Sequence, residues 1–151
     1  MESLLPEWAP NVHPLIIHFP IALWLVAVFF NLLSLLRPEE WIRHTTMAMY
    51  GMGALSAVVA FFSGKQAMDD VYVPFQGEMA ASSHSDWGHY TLYFFIGYAL
   101  LHGFVYWKKL DRKKIVAIVM FVLGTMGMGL VANTADMGGK LVYKHGVGVN
   151  Q

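Results

Sequence analysis

Four apolar stretches, each about as long as a lipid bilayer is thick, leave this chain few ways to fold. They run from about Pro14 to Leu36, Ile42 to Ser63, Gly88 to Trp107 and Ile115 to Ala135. A helix rises 1.5 Å per residue, so roughly 20 residues cross a hydrocarbon core about 30 Å thick. In lipid each segment must satisfy its own backbone N–H and C=O groups, which excludes open strands. The expectation is one all-α domain over residues 1–151, a four-helix transmembrane bundle. A polar stretch over 64–87 reads as a loop, and residues 136–151 as a short glycine-rich C-terminal cap.

Composition narrows the function. The 151 residues are 56% hydrophobic and 13% charged, about half the charge of a soluble domain. Disorder is excluded, because the composition is the reverse of the polar, highly charged signature. Ten Lys+Arg balance ten Asp+Glu, so no basic excess supports nucleic-acid binding. The absence of Cys removes disulfides, iron–sulfur clusters, thiolate zinc sites and covalent c-type haem. The first stretch does not read as a cleaved signal, since its flank carries Glu2 and Glu7 and no cation.

The zero net charge hides an asymmetry. The two short links hold Arg37, Arg43, Lys108, Lys109, Arg112, Lys113 and Lys114 against three acids, a net of +4. The termini and the 64–87 stretch hold Lys65, Lys140 and Lys144 against seven acids, a net of −4. The positive-inside rule then puts the links in the cytoplasm and both termini outside.

That topology sorts the seven histidines. His13, His18, His84, His89 and His145 fall at the outer face, and His44 and His102 toward the inner one. Ionisable groups at membrane depth are costly and point to function. His84, in the polar run SSHSDW, reads as a solvated loop residue, and His44 as interfacial. His13 and His18 are five apart, about 140° around a helix. They meet at one site only if His13, preceding Pro14, lies off the helix; Pro20 would then kink the first turns and aim His18 inward.

Imidazole suits zinc, copper and haem iron. Zinc or copper would recruit a carboxylate, with Asp86 and Asp136 nearest. Haem b asks for two axial imidazoles, an apolar sleeve and small residues for close approach, and Gly124, Gly127, Trp24, Phe94 and Tyr98 offer these. Lys140 and Lys144 are candidates to pair with haem propionates. Two haems are a weaker fit than one. His89 and His102, thirteen apart, diverge by about 140° on a straight helix, and an inner site would rest on His44 and His102 alone. A His–Met ligand pair using Met126, Met128 or Met137 ranks second.

The opening HPLIIHFPIAL and the closing GGKLVYKHGVGV resemble the bacterial membrane family catalogued as domain of unknown function 2231. The resemblance covers essentially the whole chain and falls on His13, His18, His89 and His145, and on Gly138, Gly139, Gly146 and Gly148. It implies a likeness to small b-type cytochromes that accompany c-type cytochrome modules. The expected protein is therefore a multi-pass subunit of the bacterial inner membrane, with both termini periplasmic, transferring electrons through haem b. His18 and His89 are the expected axial ligands, His13 and His145 the alternatives or propionate partners. A periplasmic c-type cytochrome or other redox subunits are the expected partners, with a homo-oligomer left open. A haem held by two His has no open position, so no substrate chemistry is expected of this chain alone. The competing readings are a His-based zinc or copper binder or transporter, and a structural subunit of a larger membrane complex.

Overall fold

The computed structural model describes residues 11–149. It is all-helical, with no strand among the described residues. A short α1 (His13–Ile16) leads into α2 (His18–Leu36), followed by α3 (Glu40–Asp70), α4 (Glu78–Trp107) and α5 (Lys114–Tyr143). One-turn 3-10 helices at Phe75–Gly77 and Leu110–Arg112 sit in the connections. The break at Ile17 has a covalent cause: Pro20 has no N–H to offer the Ile16 carbonyl. Helices α2 to α5 pack in a closed ring, each against two neighbours. The chain therefore runs up and down through the bundle. One end, here the terminal end, gathers α1, the α3–α4 connection and the C-terminal segment. The other, the link end, gathers the two short links.

Three helical stretches are long and apolar enough to cross a membrane: His13–Leu36, Glu40–Asp70 and Lys114–Tyr143. The sequence reading counts a fourth span over 88–107. A long helix is there, but His89, His102 and four tyrosines dilute its apolar content. Its exterior still presents Ile96, Leu100, Phe104 and Trp107. Large exposed apolar side chains on all four long helices, among them Leu25, Phe29, Leu55, Phe62, Val119 and Val122, form the continuous apolar surface that a lipid-facing bundle needs.

The expected loop over 64–87 is largely helix. Helix α3 continues through the polar GKQAMDD to Asp70, α4 starts at Glu78, and only 71–77 connect them. The C-terminal segment differs too. Gly138 and Gly139 lie inside α5, which ends at Tyr143. The chain then reverses at Gly146 (φ 65°). There the Gly146 N–H bonds to the Val142 carbonyl and the Val147 N–H to that of Leu141. This turn packs Val147 against Ala81 and Leu141.

Each helix turns one line of residues at three- and four-residue spacing into the bundle, the pattern of left-handed helix packing. On α1–α2 the line is His13, Pro20, Trp24, Ala27 and Asn31. On α3 it is Arg43, Thr46, Tyr50, Gly53, Ala57, Ala60, Gly64 and Ala67. On α4 it is Ala81, His84, Gly88, Thr91, Phe95, Tyr98, His102 and Val105. On α5 it is Met120, Gly124, Gly127, Thr134, Gly138 and Leu141. The middle is held by Trp24, which stacks on Phe95 with centroids 3.5 Å apart and donates from Nε1 to the Gly124 carbonyl at 3.0 Å. Gly127 makes this approach fit: a Cβ there would lie 2.6 Å from the indole nitrogen.

Candidate functional site

The inward lines decide which histidines meet. Three of the seven lie on them: His13 and His84 at the terminal end, and His102 toward the link end. His13 is the first residue of α1, not off the helix. The break at Ile17 sets α1 apart from the α2 that carries His18, yet His18 does not join it and is exposed on the outside of the bundle. The expected pairing of His18 with His89 is not formed. His89 bonds within its own helix, Nδ1 to the Ser85 carbonyl at 2.8 Å, and packs on Phe61 and Tyr93. His145 folds against Gly77 at the start of α4 rather than reaching His13. Lys140 pairs with Asp136 at 2.6 Å on the surface, and Lys144 is exposed. At the link end His44 is exposed against Tyr106, so it makes no pair with buried His102. Met126 is exposed.

The pair that forms is His13 with His84, the residue read from sequence as a solvated loop side chain. Their ring centroids lie 6.5 Å apart, with the planes at 74°. Each imidazole is held by a different neighbouring helix. His13 Nδ1 lies 3.0 Å from Ser63 Oγ, whose own proton goes to the Ala60 carbonyl. The His13 nitrogen is therefore the donor. His84 Nδ1 lies 2.9 Å from the Thr134 carbonyl, which can only accept, so this nitrogen also carries the proton. Both rings thus keep their Nε2 lone pairs uncommitted.

Two glycines make room. A Cβ on Gly64 would sit 2.9 Å from His13 Cε1, and one on Gly138 would sit 3.0 Å from His84 Cε1. Both rings lie flush against helix backbone where any side chain would displace them. Thr91 and Thr134 bond across α4 and α5 at 2.8 Å in the same layer. Burial holds the His84 imidazole below its ordinary pKa, partly opposed by its bond to the Thr134 carbonyl. It is a neutral ring at neutral pH.

Among the described residues no three His, Asp or Glu side chains converge as a metal-binding group. The site is two imidazoles in a layer of small and hydroxyl residues, between the aromatic middle of the bundle and the small Ala81–Leu141–Val147 cluster at its terminal end.

The signal that finds His84 is the inward line of α4. Counted back from His102 through Tyr98, Phe95, Thr91 and Gly88, the alternating spacing lands on 84. A polar run conceals the line only when it is taken for a loop.

The architecture defines a class: small all-helical membrane proteins. The chain belongs to the family described as "Predicted membrane protein (DUF2231)", whose family model matches residues 9–151. No curated protein and no solved structure matches the chain.

Proposed function

We propose that the layer holding His13 and His84 binds one haem b, and that the protein is a b-type cytochrome-like electron-transfer subunit of the bacterial inner membrane. In this reading α4 also spans the bilayer and both termini face the periplasm. The charge asymmetry supports that orientation: the links carry a net +4 and the remainder a net −4.

One observation carries the reading: two imidazoles on different helices, each donating from Nδ1 to a fixed acceptor, with Nε2 left open. Ligating histidines are oriented in this way, by a hydrogen bond from the second ring nitrogen. The number of ligands favours haem. Zinc is held by three or four protein groups, whereas haem brings its own equatorial nitrogens and asks the protein for two. Spacing points the same way. A group shared by two imidazoles would need their rings close together on separate elements. The observed separation is 6.5 Å. The reading requires both Nε2 atoms to turn to a shared centre between α1 and α4.

A haem held there by His13 and His84 would supply one-electron chemistry. The protein's part is to fix the two rings, exclude water with the Trp24–Phe95 stack, and hold the site near the terminal surface, where a c-type cytochrome or similar redox partner has access.

The test is the visible spectrum of protein expressed with ample haem. The expected result is a reducible Soret band with the sharp α-band of a low-spin, two-histidine haem. His13→Ala and His84→Ala abolish it, and His18→Ala leaves it intact. Purified, folded protein without a Soret band overturns the reading. Stoichiometric zinc or copper without iron, by elemental analysis, replaces it with metal handling.

A further inference from the structure

On the far side of the Trp24–Phe95 stack the bundle is polar again, and this half takes no part in the haem reading of His13 and His84. His102 is buried, 4% exposed, and its Nδ1 has no hydrogen-bond partner among the described residues. Buried polar atoms are almost always satisfied, and an ionisable group at membrane depth is retained for a purpose.

Its surroundings form a file along the bundle axis. Nearest the middle, the ring packs against Tyr50 and Tyr98, with centroids 5.0 and 5.7 Å away. Asn31 donates to both tyrosine hydroxyls at 3.3 Å, and Tyr98 donates to the Met120 carbonyl at 2.6 Å. Toward the link end, Thr46 lies on the α3 line between Tyr50 and Arg43. Arg43, 4% exposed, forks onto both oxygens of Asp111 at 2.5 and 2.6 Å. It also reaches Glu40, which is exposed to solvent. Polar side chains thus recur from the link surface to the aromatic stack, with the Thr46 hydroxyl donating to the Ile42 carbonyl at 2.8 Å and His102 lying between them and the stack.

We infer that His102 is an internal proton-binding site supplied from the link end of the bundle. A free imidazole nitrogen takes up and releases a proton with no other bond to break. The titratable and charged groups facing it are Tyr50 and Arg43 from α3, Tyr98 and Tyr106 from its own helix, and Asp111 from the α4–α5 link. Helices α2 and α5 bring only Asn31 and the Met120 carbonyl. The Arg43–Asp111 pair sets one charge of each sign at the link end, where a proton entering from solvent would pass. The inference stands independently of the haem reading, because no step in it involves the terminal end.

The test is ring N–H exchange of His102 by nitrogen-15 NMR on the full chain in lipid nanodiscs, without added haem, with His102→Gln assigning the signal. The expected result is exchange with bulk water within seconds, while the backbone amides of α3 and α4 stay protected. Thr46→Val, nearly the same shape without the hydroxyl, slows it at least tenfold. Asp111→Asn also slows it, provided that variant folds. A wild-type ring proton that survives for hours in heavy water overturns the inference. So does rapid exchange that Thr46→Val leaves unchanged.

Discussion

The two ends of this bundle solve the same problem, polar groups among apolar helices, by opposite means. At the link end charge is met by charge. The Arg43–Asp111 fork, with Glu40, Arg112 and Tyr106 around it, ties the start of α3 to the α4–α5 link. At the terminal end no described residue in the interior carries a full charge. Imidazoles, hydroxyls and backbone carbonyls are matched one donor to one acceptor, against glycines that give up their side chains. A fork of full charges is rigid, and breaking it leaves an ion stranded. A set of neutral rings on glycine leaves both Nε2 lone pairs uncommitted. The contrast separates a fastening from a candidate site.

The sharpest way to break the comparison is Arg43→Ala. It leaves Asp111, 11% exposed, without its partner and is expected to cost stability near the lower end of the about 3–5 kcal/mol for breaking a buried pair, read as the unfolding midpoint in mild detergent. Replacing both partners, Arg43→Met with Asp111→Leu, is expected to recover most of that loss. If the single variant is neutral, the link end is no fastening.

At the terminal end the expected cost is smaller and positional. Gly138→Val drives a side chain into the His84 ring and is expected to cost about 1–3 kcal/mol. Gly139→Ala, where a Cβ meets nothing within 4 Å, is expected to be neutral or to stabilise α5 by up to about 1 kcal/mol. Equal effects at the two neighbouring glycines would remove the cradle from the account.

The smallest effect is a slope. Burial lowers the pKa of His84 in the folded state, so the unfolded chain binds more protons as the pH falls through about 6.5. Stability contributed by the neutral ring is present at higher pH and declines as the pH drops from about 7 to about 5. His84→Gln is expected to flatten that decline in unfolding midpoints taken across the range. A steeper decline in the variant would mean that the ring is charged in the folded protein.

The sequence makes the helices visible because about twenty apolar residues in succession have few other uses. It hides their true lengths. The stretch GKQAMDD carries no proline and one glycine, so nothing stops α3 before the Val73–Pro74 step, yet its polarity imitates a loop. Gly138 and Gly139 imitate a break in α5, whereas Gly138 is there to clear His84. Of the site, His13 is legible from its place at the head of the first span. The place of His84 on the inward line of α4 is legible once its polar run is read as helix, but its partner is not, because Thr134 lies fifty residues away in the chain and contributes a backbone carbonyl, which no residue type reveals. The buried fork at Arg43 is likewise concealed among link cations that otherwise serve only to orient the chain.

The added helical length all falls on one side. Beyond the apolar stretches, α3 runs on to Asp70, α4 begins at Glu78 and α5 reaches Tyr143. At 1.5 Å per residue these extensions stand roughly 10–15 Å tall. The molecule therefore has a parapet of three stiff rods on its terminal side and ends almost flush on the other. Anything docking from the parapet side meets the 71–77 connection and the C-terminal turn carried on these rods, with the two imidazoles set below them within the wall.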